Sequence, residues 1–146
     1  MTELAQELIE KEKRERTGYL DLGRCGLTEM PDLSELEWLE TLILSNEWWD
    51  WQKTAWIYST NNGEKNLLRQ TTQNDRLPSS LFVLKVGGTY GGKYELGDTN
   101  FLKPLVNLVS LDLSSNNIYD WTALSNSKQI QKLDLRNNEI HNDEFL

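Results

Sequence analysis

Few residues in this 146-residue chain have types and spacings that could do chemistry. Gly87-Gly88-Thr89-Tyr90-Gly91-Gly92-Lys93 fits the G-x-x-x-x-G-K spacing of a phosphate-binding loop and follows the hydrophobic run LFVLKV. LVSLDL, ending near Asp112, looks like the strand and Asp that would hold magnesium. A working loop also needs Ser or Thr after the Lys, and a helix whose N-terminus faces the phosphates. Tyr94 follows instead, and Glu95-Leu96-Gly97-Asp98 begins no convincing helix, so the stretch reads as an irregular loop. The single His, His141, stands near Asp143 and Glu144. One imidazole and two carboxylates in a tail make a thin metal-ligand set, and no Ser-His-Asp relay can be assembled around them. Cys25 has no His or Cys nearby in sequence to lower its pKa, so it reads as structural. The remaining candidate is aromatic. Trp48, Trp49, Trp51 and Trp56 are four of the six tryptophans, packed into nine residues and followed by Tyr58. Tryptophan buries much area with few rotors and is a favoured interface anchor. These rings either fill a small satellite core or stand out as contacts.

The elements that must position them follow a recurring phrase: a hydrophobic residue, two variable positions, Leu, one variable, Leu, two variable, Asn or Cys, one variable, Leu or Ile. Leu108, Leu111, Leu113, Asn116 and Ile118 make one copy, and Ile130, Leu133, Leu135, Asn138 and Ile140 make the next, 22 residues later. Leu20, Leu22, Cys25 and Leu27 make an earlier copy. Leu39, Leu42 and Leu44 open another, but Asn46 falls one position early and the pattern then breaks. It resumes at Leu81, Leu84 and Val86, so the spacing predicts about 20 inserted residues within an aromatic-rich insertion at 47–80. Leu81 to Leu108 is 27 residues, which leaves room for the Gly-rich stretch. Residues 1–16 read as an N-terminal helix. Leu4, Ala5, Leu8 and Ile9 share one face, Thr2 can cap it, and acidic residues lead while Lys and Arg close it. Such a helix would lid the open core edge of the first repeat. Leu111 and Leu133 read as equivalent core positions.

The phrase and its period resemble the bacterial leucine-rich repeat family with a 22-residue period, over roughly residues 17–46 and 81–146. EKRERTGYLDLGRCGLTEMP, with the later LETLILSN, looks like the opening of the repeat domains of bacterial Roco-type GTPases. No GTPase segment follows the repeats, so that activity is not carried over. The resemblance implies an α/β solenoid of about five repeats in a single domain, 1–146. It would be curved, with a concave parallel sheet, short turns and 3₁₀ pieces on the convex side, and an N-terminal capping helix. It also implies a non-catalytic protein-protein interaction module.

In such a sheet the residues flanking the paired leucines face outward. One column is Asp21, Ile43, Lys85, Asp112 and Asp134. Its neighbours are Tyr19, Thr41, Val83, Ser110 and Lys132, and Gly23, Ser45, Gly87, Ser114 and Arg136. The expected site is this concave face, the tryptophan insertion, or both. The expected partner is a protein, with a small ligand or glycan bound through the insertion as the alternative. Net charge is −8, from 15 basic and 23 acidic residues, which offers no basic footprint for nucleic acid and disfavours an anionic membrane. No metal or cofactor is expected. One Cys permits no internal disulfide, and the charged N-terminus lacks a signal peptide's apolar run, so a cytoplasmic location is expected. An uncapped C-terminal repeat could also be covered by a second copy of the chain.

Overall fold

A computed structural model of the chain describes residues 1–69 and 76–138. In chain order the elements are α1 (Glu3–Glu15), β1 (Tyr19–Asp21), β2 (Thr41–Ile43), β3 (Glu47–Asp50), β4 (Ala55–Tyr58), β5 (Val83–Lys85), a 3₁₀ turn (Asn100–Leu102), β6 (Ser110–Asp112), α2 (Thr122–Ser125) and β7 (Lys132–Asp134). Five strands form one parallel sheet in the order β1-β2-β5-β6-β7, with β3 and β4 set aside as an antiparallel hairpin. The chain is therefore a parallel-sheet solenoid. It makes four complete turns between its first and last strand, with few helices.

The register is the one the leucine spacing predicts. Leu20, Leu42, Leu84, Leu111 and Leu133 align as partners across the sheet. A period of two sends these leucines inward and their neighbours outward. Leu22, Leu44, Val86 and Leu113 form the next inward row and are fully buried. The convex side carries the 3₁₀ turn, which buries Phe101 and Leu102, and the single helical turn α2. Leu133 departs from expectation. It is 47% exposed, because among the described residues no further turn stacks beyond β7. Leu111, two-sided within the stack, is buried.

At the other end α1 lies against the first turn. The Thr2 hydroxyl accepts from the Ala5 N–H, Glu3 opens the helix, and Lys13 and Arg14 close it, all complementing the helix ends. Arg16, left-handed at φ 48°, stops it. Ala5 and Ile9 bury against the core. Glu12 is buried too. Burial alone would raise its carboxyl, but hydrogen bonds from the Thr17 hydroxyl, the Trp38 indole and the Gly18 N–H outweigh that and hold it below the usual range.

Neighbouring turns are tied by one side chain per turn, buried at Asn66, Tyr94 and Asn116 and half-buried at Asn138. Asn66 Nδ2 donates to the Leu22 and Leu44 carbonyls, Asn116 Nδ2 to Val86, and Asn138 Nδ2 to Leu113. In the β5 turn the donor is the Tyr94 hydroxyl, 2.8 Å from the Leu44 carbonyl oxygen. This rung completes two broken copies of the phrase. From Leu44 to Asn66 is 22 positions where Leu113 to Asn116 is 3, so the insertion holds 19 extra residues, and Asn66-Leu67-Leu68 resumes the second turn. From Val86 to Tyr94 is 8 positions, so the Gly-rich stretch adds 5. Asn46, one position early, does different work: its Oδ1 accepts from the Arg24 and Asn66 N–H groups across the mouth of the insertion.

The glycine-rich stretch is part of this stack. Gly88 N–H donates to the Ser114 carbonyl, and a Cβ there would lie 2.6 Å from the Ser115 carbonyl oxygen and 2.7 Å from the Tyr94 nitrogen. The glycines let two turns approach. Residues 94–99 after Lys93 form no helix, and Tyr94 is buried in the core, so the phosphate-loop reading has no structural support.

Candidate binding face

The two surfaces singled out in sequence are one place. The hairpin β3–β4 folds over the face of the sheet that carries the outward column. Trp48 pairs with Ile57 and Trp49 with Trp56, and successive residues of a strand face opposite ways. Trp48 is 7% exposed and borders two cavities. One, of about 390 Å³, lies between the hairpin, β1 and α1. The other, of about 240 Å³, lies between the hairpin and strands β5 to β7. The root of the hairpin therefore sits across the middle of the face.

That placement corrects part of the outward column. Ile43 is 2% exposed and Asp112 is also buried, although both stand on the solvent side of the pleat. Three of the column's carboxylates are occupied locally as well. Asp21 accepts from the Gly23 N–H, Asp112 from Ser114 and Asp134 from Arg136, each two residues on. This is the Asx turn by which a short acidic side chain ends a strand. Burial raises the Asp112 carboxyl above its usual range, partly offset by two hydrogen bonds from Ser114. Asp134 also holds the Arg136 guanidinium in a bidentate pair, with Nη2 2.7 Å and Nε 2.9 Å from its oxygens. Thr41, Val83, Lys85 and Ser110 are half-buried, while Tyr19, Lys132 and Arg136 are exposed.

The rings divide in the same way. Trp49 stands edge-to-face to Trp51 at 5.9 Å and to Trp56 at 5.7 Å. Trp51 is 67% exposed, and Trp56 and Tyr58 are exposed too. The Arg136 guanidinium lies 5.9 Å from both the Trp51 and Trp56 rings, so the turn after β7 meets the hairpin tip. The Trp49 indole N–H is buried and has no hydrogen-bond acceptor among the described residues. The second cavity is lined by Trp48, Trp49, Trp51, Lys85, Asp112 and Lys132, among others. Neither lysine forms a close ion pair among the described residues, although the Lys85 charge acts on the Asp112 and Asp50 carboxylates from a distance.

The hairpin is held at its base. The Ser59 hydroxyl meets both Asp21 oxygens at 3.0 and 3.1 Å, and Asn61 Nδ2 donates to the Asp21 and Gly23 carbonyls. Gly23 permits this closeness, since a Cβ there would collide with the Ser45 carbonyl oxygen. The local signal for this element was available: Glu-Trp-Trp-Asp and Ala-Trp-Ile-Tyr flank a four-residue turn, Trp-Gln-Lys-Thr. The roles of Asn66, Ser59 and Asn61 had no signal in the polar stretch that contains them.

Cys25 lies in the core of the first turn, its thiol 3.5 Å from the Gly23 carbonyl oxygen. Burial, with help from the Asp21 charge, pushes the thiol up to about 11. The native chain should therefore resist thiol reagents at pH 8 and react only on unfolding, as timed labelling with and without urea would show. An unfolded thiol loses its proton near pH 9, so this contribution to stability is full below that pH and lost by about pH 11. A fast native reaction would contradict the placement.

The metal reading of His141, Asp143 and Glu144 falls outside the described residues. Among those that are described, no group of three or more His, Cys, Asp or Glu is placed to hold a metal, and no helix is long and apolar enough to cross a membrane. Fold and face together define a class: a parallel-sheet solenoid whose inner face carries an aromatic hairpin. No family model, no curated protein and no solved structure matches the chain.

Proposed function

We propose that this is a non-catalytic leucine-rich repeat module that binds a protein partner with its tryptophan hairpin and the C-terminal half of its concave face. The repeat reading rests on the 22-residue phrase and on the hydrogen-bonded rung of Asn66, Tyr94, Asn116 and Asn138. In that reading α1 is the N-terminal cap. The observation that carries the binding proposal is the shared cavity, where hairpin rings and the strand residues Lys85 and Lys132 line one space. Such a space suits side chains of a partner segment: rings supply area, Lys132 supplies a charge with no close ion pair among the described residues, and the Trp49 indole supplies a donor. Trp51, anchored on Arg136 yet exposed, is the expected hot spot.

A peptide-display selection against the folded chain tests this. Selected peptides should bind saturably, and Trp51→Ala or Lys132→Glu should weaken them at least tenfold without altering the fold. Binding that ignores both substitutions would overturn the proposal. A set of oligosaccharides that shifts tryptophan fluorescence in a Trp51-dependent way, with no Trp51-dependent peptide, would transfer the site to glycans.

A further inference from the structure

The cavity on the other side of Trp48 carries a single cation, where the one between the hairpin and β5 to β7 has two lysines among three aspartates. It is walled by Trp48, Tyr19 and Tyr58, and its carboxylates are Glu12, Glu15 and Asp21, with Lys11 as its one cation. Glu12 is committed to Thr17, Gly18 and Trp38. Asp21 and Glu15 have no cationic partner among the described residues. Asp21 is partly withdrawn from water, and its charge is met only by the Gly23 N–H and the Ser59 hydroxyl. Tyr19 and Tyr58 keep exposed ring surface beside these acids. The walls come from α1, β1 and the hairpin, and the Ser59 and Asn61 hydrogen bonds hold the hairpin base to β1. A ligand would therefore meet a preformed space.

We infer that this chamber receives an arginine side chain of the protein partner; the inference rests on the interaction reading above. Three aromatic walls and two unpaired carboxylates are the complement of a planar cation. A guanidinium stacks on aromatic faces and offers paired donors to a carboxylate, where an ammonium is a compact point charge. The chain uses the same contact internally beside the chamber, with Arg16 4.3 Å from the Trp38 ring centroid. A net charge of −8 adds long-range attraction for a basic partner.

The test is an NMR titration of the full chain, ¹⁵N-labelled, with Nα-acetyl-arginine amide and with the neutral citrulline analogue. The arginine probe should saturate in the millimolar range, with shifts centred on Tyr19, Asp21 and Tyr58, and citrulline should bind at least tenfold more weakly. Glu15→Gln and Tyr58→Ala, both at exposed positions, should each weaken the arginine probe at least threefold while the rest of the spectrum is preserved. No saturation at tens of millimolar, equal binding of citrulline, or indifference to both substitutions would overturn the assignment. Failure here beside Trp51-dependent peptide binding refutes the chamber alone. Success here without any such peptide refutes the wider interface and leaves the chamber standing.

Discussion

Asn66→Ala should lower the free energy of unfolding by about 3–5 kcal/mol, a large share of the roughly 5–15 kcal/mol that holds a domain together. The side chain is buried, and its hydrogen bonds reach two turns, with Nδ2 bridging them. Its Oδ1 accepts from the Cys25 N–H at 3.1 Å and the Leu27 N–H at 2.8 Å, while Nδ2 donates to the Leu22 and Leu44 carbonyls at 2.9 and 3.0 Å. Truncation strands the Cys25 and Leu27 N–H groups and the Leu22 carbonyl where water does not reach, while the Leu44 carbonyl keeps the Tyr94 hydroxyl. Each orphaned group costs about 1–3 kcal/mol, though relaxation recovers part of it. Asn66→Asp should also be costly, because a carboxylate cannot donate to either carbonyl. Urea denaturation followed by circular dichroism is the measurement. A loss below about 1 kcal/mol would show that water reaches the turn and that the rung is not what joins the first two turns.

Much of the solenoid was legible because its stability is periodic. A leucine that must face inward every second residue, once per turn, leaves a 22-residue trace, and the strand register follows from it. The trace fails where a different side chain does the same physical job. Tyr94 reaches the Leu44 carbonyl from a loop five residues longer, so no spacing rule finds it. Asn66 fulfils the phrase 19 residues late, inside a polar stretch that looks like linker. The candidate site was legible only as parts. Alternation along Glu47–Asp50 separates Trp48 from Trp49, but sequence does not say which way a hairpin folds. Its folding onto the sheet is a long-range fact, and alternation along the strands does not foretell that Ile43 and Asp112 are buried. Arg136 was visible as a basic end of the face, whereas its position beside Trp51 and Trp56 depends on that same fold-back.

The fold-back makes Trp48→Ala the second large effect. Removing a buried indole should cost about 3–5 kcal/mol through lost burial and the cavity left behind. Trp51→Ala, three residues away, removes a ring that is 67% exposed and should change stability by no more than about 0.5 kcal/mol. Loss of the Trp48 ring would also merge the two cavities that it separates. Hydrogen exchange of the β3 and β4 amides should then accelerate more than exchange in β2 and β5. The hairpin depends on Trp48 for its seat, whereas the sheet keeps its leucine rows. Denaturation midpoints of the two variants, read beside site-resolved exchange, decide the matter. Equal losses for Trp48→Ala and Trp51→Ala would contradict the hairpin's orientation. A global loss for Trp48→Ala with no preferential loosening of the hairpin would mean that this ring is part of the solenoid's own core.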